Sequence, residues 1–217
     1  HMEKSSDIIE NRREKLETLR RQKISLYPND VAVSHAIGEI RELIDENPEG
    51  LTGQGPVFQT AGRLMAVNRM GKSSFIRFRD RTGQLQAYLQ KNRLGEEGYA
   101  LLKQLDVGDF IGLQGTLFQT RTGEWTLLAE RLSLVAKATR PLPEKYHGLK
   151  DPEKRYRRRY VDLIMNGEVR ELFVKRSRII QAIREYFLSH DFLEVETPMM
   201  QPIPGGAEAT PFRTHHN

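Results

Sequence analysis

Arg63, Phe75, Arg77, Gln86, Tyr88 and Glu124 are the residue types that hold an unpaired nucleic-acid strand. An aromatic ring among cations and amides stacks a base at roughly 1–3 kcal/mol, while arginine holds phosphate or stacks in turn. Gln86 offers a donor and an acceptor and an ionised Glu124 offers acceptors only. Together they complement the Watson–Crick edge of a pyrimidine. This chemistry requires all of them to share one surface, so the elements that carry them decide its worth.

Residues 56–137 alternate apolar and polar with the period of two that marks strands. Strand-like runs cover Val57–Val67, Ser73–Asp80, Gln84–Lys91, Asp109–Thr120 and Glu124–Val135, with turns at Met70-Gly71, Arg81-Thr82-Gly83 and Arg121-Thr122-Gly123. Gly95–Leu105, between the third and fourth runs, has helical spacing. Five strands with a helix between the third and fourth is the order of an OB-fold barrel. Alternation sends Leu64, Ile76, Phe78, Leu85, Ala87, Leu89, Trp125 and Leu127 inward. It leaves the six candidate residues on the outer face, the composition of a single-strand platform.

The flanks read as helix. Asp7 is placed to cap a run with an apolar stripe of Ile9, Leu16 and Leu19, whose other sides carry Arg12, Arg13, Lys15, Arg20, Arg21 and Lys23. One side of that helix is expected to be strongly positive, with Glu10, Glu14 and Glu17 at pairing distance along it. A second helix is expected over 35–46. Pro141, Pro143 and Gly148 mark a linker at 138–150. A short helix, carrying Arg155, Arg157, Arg158 and Arg159, runs from Asp151-Pro152-Glu153 to about Met165. A longer one follows over Glu168–His190, with Leu172, Ile179, Ile183, Tyr186 and Phe187 on its buried side. The class is therefore α+β with a mainly β core. The organisation is a cloning remnant at 1–2, a helical extension at 3–55, the barrel at 56–137, the linker, and the start of another domain at 151–217.

Composition narrows the partners. The 217 residues carry a net charge of +5, which favours an acidic partner, nucleic acid above all. The absence of cysteine excludes disulfides and thiolate zinc sites and suits a reducing, cytoplasmic setting. No apolar run is long enough to cross a membrane, and none is expected to. Ala66-Val67-Asn68-Arg69-Met70-Gly71-Lys72-Ser73 nearly spells a phosphate-binding loop, but it joins two strands instead of opening a helix, so a hairpin turn is expected. His215 and His216 are adjacent and face different ways, so no metal site is expected.

A resemblance enters at the C-terminal end. Phe192-Leu193-Glu194-Val195-Glu196-Thr197-Pro198-Met199-Met200, an expected strand after the long helix, resembles motif 1 of the class II aminoacyl-tRNA synthetases. With Ile203-Pro204-Gly205-Gly206-Ala207 and Thr214-His215-His216-Asn217, its wording is similar to the lysine-specific branch. The likeness covers residues 7–217 and is most specific over 56–91 and 138–217. It implies that Phe75, within Gly71-Lys72-Ser73-Ser74-Phe75, stacks on an anticodon base. Gln86 and Glu124 would recognise the central uridine, supported by Arg63. It also implies a homodimer contact at Pro198 and a place for Gly205 in a lysine pocket.

For the complete enzyme, the resemblance implies ligation of L-lysine to tRNA-Lys, driven by ATP with Mg²⁺. This chain would hold the barrel, motif 1 and the truncated start of the antiparallel-sheet catalytic domain. Motifs 2 and 3 are missing, and Phe212-Arg213-Thr214-His215 is not motif 2. The chain alone is thus expected to bind tRNA, to bind no ATP or Mg²⁺, to hold no catalytic residue and to be inactive in aminoacylation. Thr210 stands where the family has a basic residue before Pro211-Phe212. The aspartyl and asparaginyl siblings also read a central uridine, and a sequence-tolerant single-strand binder would share the outer-face composition. All three readings stay open.

Overall fold

The computed structural model describes residues 2–53, 55–143, 149, 151–198, 210, 212, 214 and 215, with side chains from residue 7 onward. The chain divides into two units, residues 1–147 and 148–217.

In the first unit, five strands close into a barrel in the order β1-β2-β3-β5-β4: β1 Phe58–Met70, β2 Ser73–Arg79, β3 Gln84–Gln90, β4 Phe110–Gln119 and β5 Trp125–Ala136. All neighbours are antiparallel except β3 and β5, which run parallel. Period-two alternation puts Leu64, Ile76, Phe78, Leu85, Ala87, Leu89, Ile111, Leu113, Leu117, Leu127 and Ala129 in the barrel interior. This is the expected OB architecture. The phosphate-loop-like segment is the β1–β2 hairpin. Its turn depends on Gly71, whose φ of 57° lies in the left-handed region that glycine enters without strain. The helix between β3 and β4, α3 (Lys91–Gln104), starts four residues before its expected Gly95, which instead breaks its regularity with φ 71°.

Among the described residues, two α-helices precede the barrel, α1 (Met2–Arg21) and α2 (Ile37–Glu46), with a short 3-10 turn at Glu49–Leu51. α1 starts before Asp7, so Asp7 is not its cap. Leu16, Leu19, Ile37, Ile40 and Ile44 join one buried cluster with the barrel interior. The expected positive side of α1 is only partly realised. Arg12 is buried and donates to the carbonyls of Val107 (3.0 Å), Ala138 (3.1 Å) and Arg140 (3.0 Å). Lys15 reaches Asp106 at 2.6 Å. Arg12, Lys15, Leu16 and Leu19 fall at i, i+3, i+4 and i+7 on one helical face, so two of the six cations dock the helix instead of facing solvent. Arg13 and Arg20 pair with Glu10 and Glu17 along the outer side.

α2 begins on the β2–β3 turn. Asp80 Oδ2 accepts from the Ile37 amide at 2.8 Å and Thr82 Oγ1 from the Gly38 amide at 2.7 Å, satisfying N–H groups that have no partner within the helix. A Cβ on Gly38 would come within 2.9 Å of Thr82 Cβ, so this approach needs glycine.

The second unit holds α4 (Pro152–Arg157), α5 (Arg159–Met165) and α6 (Gly167–Leu188). Asp151 caps α4, accepting from Glu153 N at 2.9 Å, and Pro152 occupies the first turn. The single short helix expected at 152–165 is two, broken at Arg158. The corner forms around fully buried Asp162, which accepts from Arg155 at 3.0 Å, from Arg159 and from Asn166. Arg157 pairs with Glu153. Two features differ from expectation. The stripe of α6 is exposed, with Leu172 at 63% and Ile183 at 52%. Residues 192–198 form no strand ladder among the described residues, since a strand needs a hydrogen-bonded neighbour; Leu193 and Val195 lie exposed.

Candidate nucleic-acid interface

The strand registers line up two rows on the outer face of the barrel. Phe75 on β2 stands opposite Tyr88 on β3, which stands opposite Leu128 on β5. Two residues along, Arg77 stands opposite Gln86, and Gln86 opposite Thr126. An aromatic row therefore runs beside a polar one, about one side-chain repeat apart.

In the aromatic row, Phe75 and Tyr88 stack with centroids 4.5 Å apart and planes 24° apart, and Phe118 lies 6.2 Å from Tyr88. One face of Phe75 is held by Tyr88, which orients the ring for a base on the other. In the polar row, Arg77 lies 3.1 Å from Glu124 Oε1 and its Nη2 donates to Oε2 at 3.3 Å. Both side chains are about half exposed, so the pair orients them without adding much stability. Gln86 Nε2 donates to Thr126 Oγ1 at 2.9 Å.

Phe75, Arg77, Gln86 and Glu124 line one cleft of about 470 Å³, walled by Asn68, Met70, Thr120 and Thr122 from the two adjoining hairpins. Four of the expected site residues thus converge, and the cleft offers a stacking surface, a cation, an amide and a carboxylate to one planar ligand. Arg63 does not line this cleft. It stands farther along β1 opposite Arg79, with its guanidinium 4.2 Å above the Phe110 ring and a bond to the Gly108 carbonyl at 3.1 Å. Tyr88 supports the stack from beneath. The β1–β2 turn is tied down by Tyr99 of α3, whose hydroxyl donates to the Gly71 carbonyl at 2.6 Å.

The sequence resembles known proteins in both units. Residues 58–135 match the OB-fold nucleic acid binding domain, and residues 151–217 match the tRNA synthetases class II (D, K and N). Over residues 151–217 the chain is therefore similar to the class II tRNA synthetases. A lysine–tRNA ligase of Azoarcus sp. (strain BH72) is 50% identical over 97% of this chain and 42% of its own length. That of Methylobacillus flagellatus is 48% identical over 97% and 41%, and that of Xanthomonas axonopodis pv. citri is 50% identical over 98% and 42%. The chain spans less than half the length of these relatives.

The remaining candidates lie in the second unit. Pro198 is exposed, and Gly205 lies outside the described residues. Thr210 is exposed. Two contributors were not foreseen from sequence. Thr126 sits at an outward position of β5 where a polar residue reads as plain surface, yet it is fully buried. Tyr99 lies in the connecting helix, where nothing in the local spacing links it to the hairpin it anchors.

Proposed function

We propose that this chain is the anticodon-reading portion of a lysine–tRNA ligase, in which Phe75 stacks on the central uridine of the tRNA-Lys anticodon while Gln86 and Glu124 read its edge. The observation that carries this is the convergence of Phe75, Arg77, Gln86 and Glu124 on one cleft of a barrel in a chain about half identical to lysine–tRNA ligases. Arg77 orients Glu124 and brings positive charge to the backbone; Arg63, fixed on Phe110, adds charge beyond the cleft. The lysine assignment, over the aspartyl and asparaginyl siblings, rests on the named relatives.

The complete ligase would activate L-lysine with ATP and Mg²⁺ in the cytoplasm and pass it to the tRNA 3′ end. Such chemistry depends on in-line positioning and on charge stabilisation at the reacting phosphate. In this reading the present chain supplies recognition, Gly205 approaches the lysine, and the motif 1 region about Pro198 meets a second protomer. The exposed apolar side of α6 and of Leu193 and Val195 suits such a contact. Among the described residues, no helix is long and apolar enough to cross a membrane.

The test is binding of the chain to an RNA hairpin with a UUU anticodon and to one with the central U changed to C, at one salt concentration because the basic surface alone gives salt-dependent affinity. Preference for the first by about tenfold, abolished in Gln86→Ala, supports anticodon reading. Equal affinity for both hairpins and for unrelated single strands would establish a sequence-tolerant binder instead.

A further inference from the structure

Uracil and cytosine present mirrored patterns on their Watson–Crick edges. Uracil sets its O4 acceptor beside the N3–H donor; cytosine sets its N4–H donor beside the N3 acceptor. A glutamine amide matches either one, because turning it by half a revolution exchanges its oxygen and nitrogen. A freely turning Gln86 would therefore bind both bases and distinguish neither. Discrimination requires something to fix which end of the amide faces which way.

Thr126 holds the means to do this. Its residue is fully buried, so no water competes for its hydroxyl. That hydroxyl has one proton, and it donates to the Glu124 carbonyl at 3.2 Å. With its proton committed to a group that can only accept, Oγ1 is left to accept, and the donor it meets is Gln86 Nε2 at 2.9 Å. The half-turned amide would meet the hydroxyl only by drawing its proton away from the Glu124 carbonyl, at the cost of that bond. The two residues are also register partners on parallel β3 and β5, so the strand pairing itself keeps them together. The Glu124 carbonyl is held in place independently by the Thr120 amide at 3.0 Å, closing the β4–β5 hairpin.

We propose that Thr126 is the positioning residue that sets uracil-over-cytosine specificity, by locking the Gln86 amide with its nitrogen toward β5 so that its oxygen and remaining N–H meet the base in one fixed order. This rests on the reading of the cleft as a base-recognition site. The lock also explains how a neutral, reversible side chain can specify one pyrimidine at a site where Phe75 alone stacks any base.

The experiment measures the affinity of the unsubstituted chain, Thr126→Val, Thr126→Ser and Phe75→Ala for the UUU hairpin and its central-C counterpart. Valine keeps the shape of threonine and removes the hydroxyl; serine restores the hydroxyl. The expected result is a U-over-C ratio of about tenfold in the unsubstituted chain, falling to within about twofold in Thr126→Val with affinity for the C hairpin kept or raised, and returning in Thr126→Ser. A Thr126→Val chain with an undiminished ratio overturns the lock. Equal weakening toward both hairpins, not restored by serine, also overturns it, because a structural role loses both together. If the unsubstituted chain shows no preference while Phe75→Ala still weakens binding, anticodon reading itself fails and the lock with it.

Discussion

Replacing Phe75 by alanine separates stacking from charge, and the structure sets the size of each effect. Tyr88 stacks on one face of the ring at 4.5 Å, and the ring also lines the cleft that a base would fill. Losing that contact costs about 1–3 kcal/mol of RNA affinity, or roughly 5- to 150-fold in Kd. Losing the Phe75–Tyr88 pair costs the folded chain about 0.5–1.5 kcal/mol, too little to unfold a barrel whose interior is untouched. The assay is fluorescence anisotropy of the UUU hairpin at several salt concentrations, with thermal melts in parallel. Phe75→Ala is expected to shift the line of log affinity against log salt downward without changing its slope, because a phenyl ring releases no counterions. Arg77→Gln is expected to make the slope shallower by about one phosphate contact. Unchanged affinity in Phe75→Ala, or a changed slope, would refute stacking as the role of this ring.

Three further outcomes follow from the way the barrel is braced. Lys137, with a fully buried side chain, bridges Asp106 (2.6 Å) and Asp109 (2.8 Å). Lys137→Met leaves Asp109 buried without its cation and should cost about 3–5 kcal/mol in urea unfolding; a loss under 1 kcal/mol would contradict it. For Asp106, burial works against the charged form, but bonds from Lys137 and Lys15 and their charges outweigh it and hold the carboxyl below its ordinary value. A depressed carboxyl stabilises the fold above its unfolded value, about pH 4, and that stability is lost as pH falls through the folded value. Acid titration followed by Trp125 fluorescence should show this step, and Asp106→Asn should diminish it. Gly71→Ala meets no atom within 4 Å, so its cost is the left-handed backbone alone, about 1–2 kcal/mol in a thermal melt.

The barrel was legible in the sequence because each strand buries one face, so alternation fixed both the interior and the outward row. Phe75, Arg77, Gln86 and Glu124 could be grouped before any coordinates, since register follows from the turns at Gly71, Thr82-Gly83 and Thr122-Gly123. What failed to show has a physical reason in each case. Arg12 and Lys15 look like solvated charge because apolar counting ignores cations whose partners lie far away, Arg12 bonding a carbonyl 128 positions along. Arg63 alternates outward correctly, but its bond to Gly108 and its seat on Phe110 turn it from the cleft. Thr126 alternates outward as well, yet Gln86 and Phe118 flank it across β3 and β4. The α6 stripe has helical spacing, but spacing names a face to be covered and not what covers it.

Under the proposed function, these long-range contacts give the N-terminal helices a definite part in recognition. Asp80 receives the Ile37 amide of α2 on one oxygen and the Thr82 and Gly83 amides of its own turn on the other. Arg41 of α2 bonds the Gln84 carbonyl at the start of β3 through Nε at 3.0 Å. The β2–β3 hairpin that carries Phe75, Arg77, Gln86 and Tyr88 is therefore pinned at its turn by α2, and the adjoining β1–β2 hairpin at its own by Tyr99. A base-reading face must hold its donors and acceptors in place before the ligand arrives, since ordering them on binding would subtract from affinity. Two strands tied at opposite ends by separate helices meet that need where an isolated hairpin would not. Under that reading the helices before the barrel act on specificity through the strands they anchor, without touching the base.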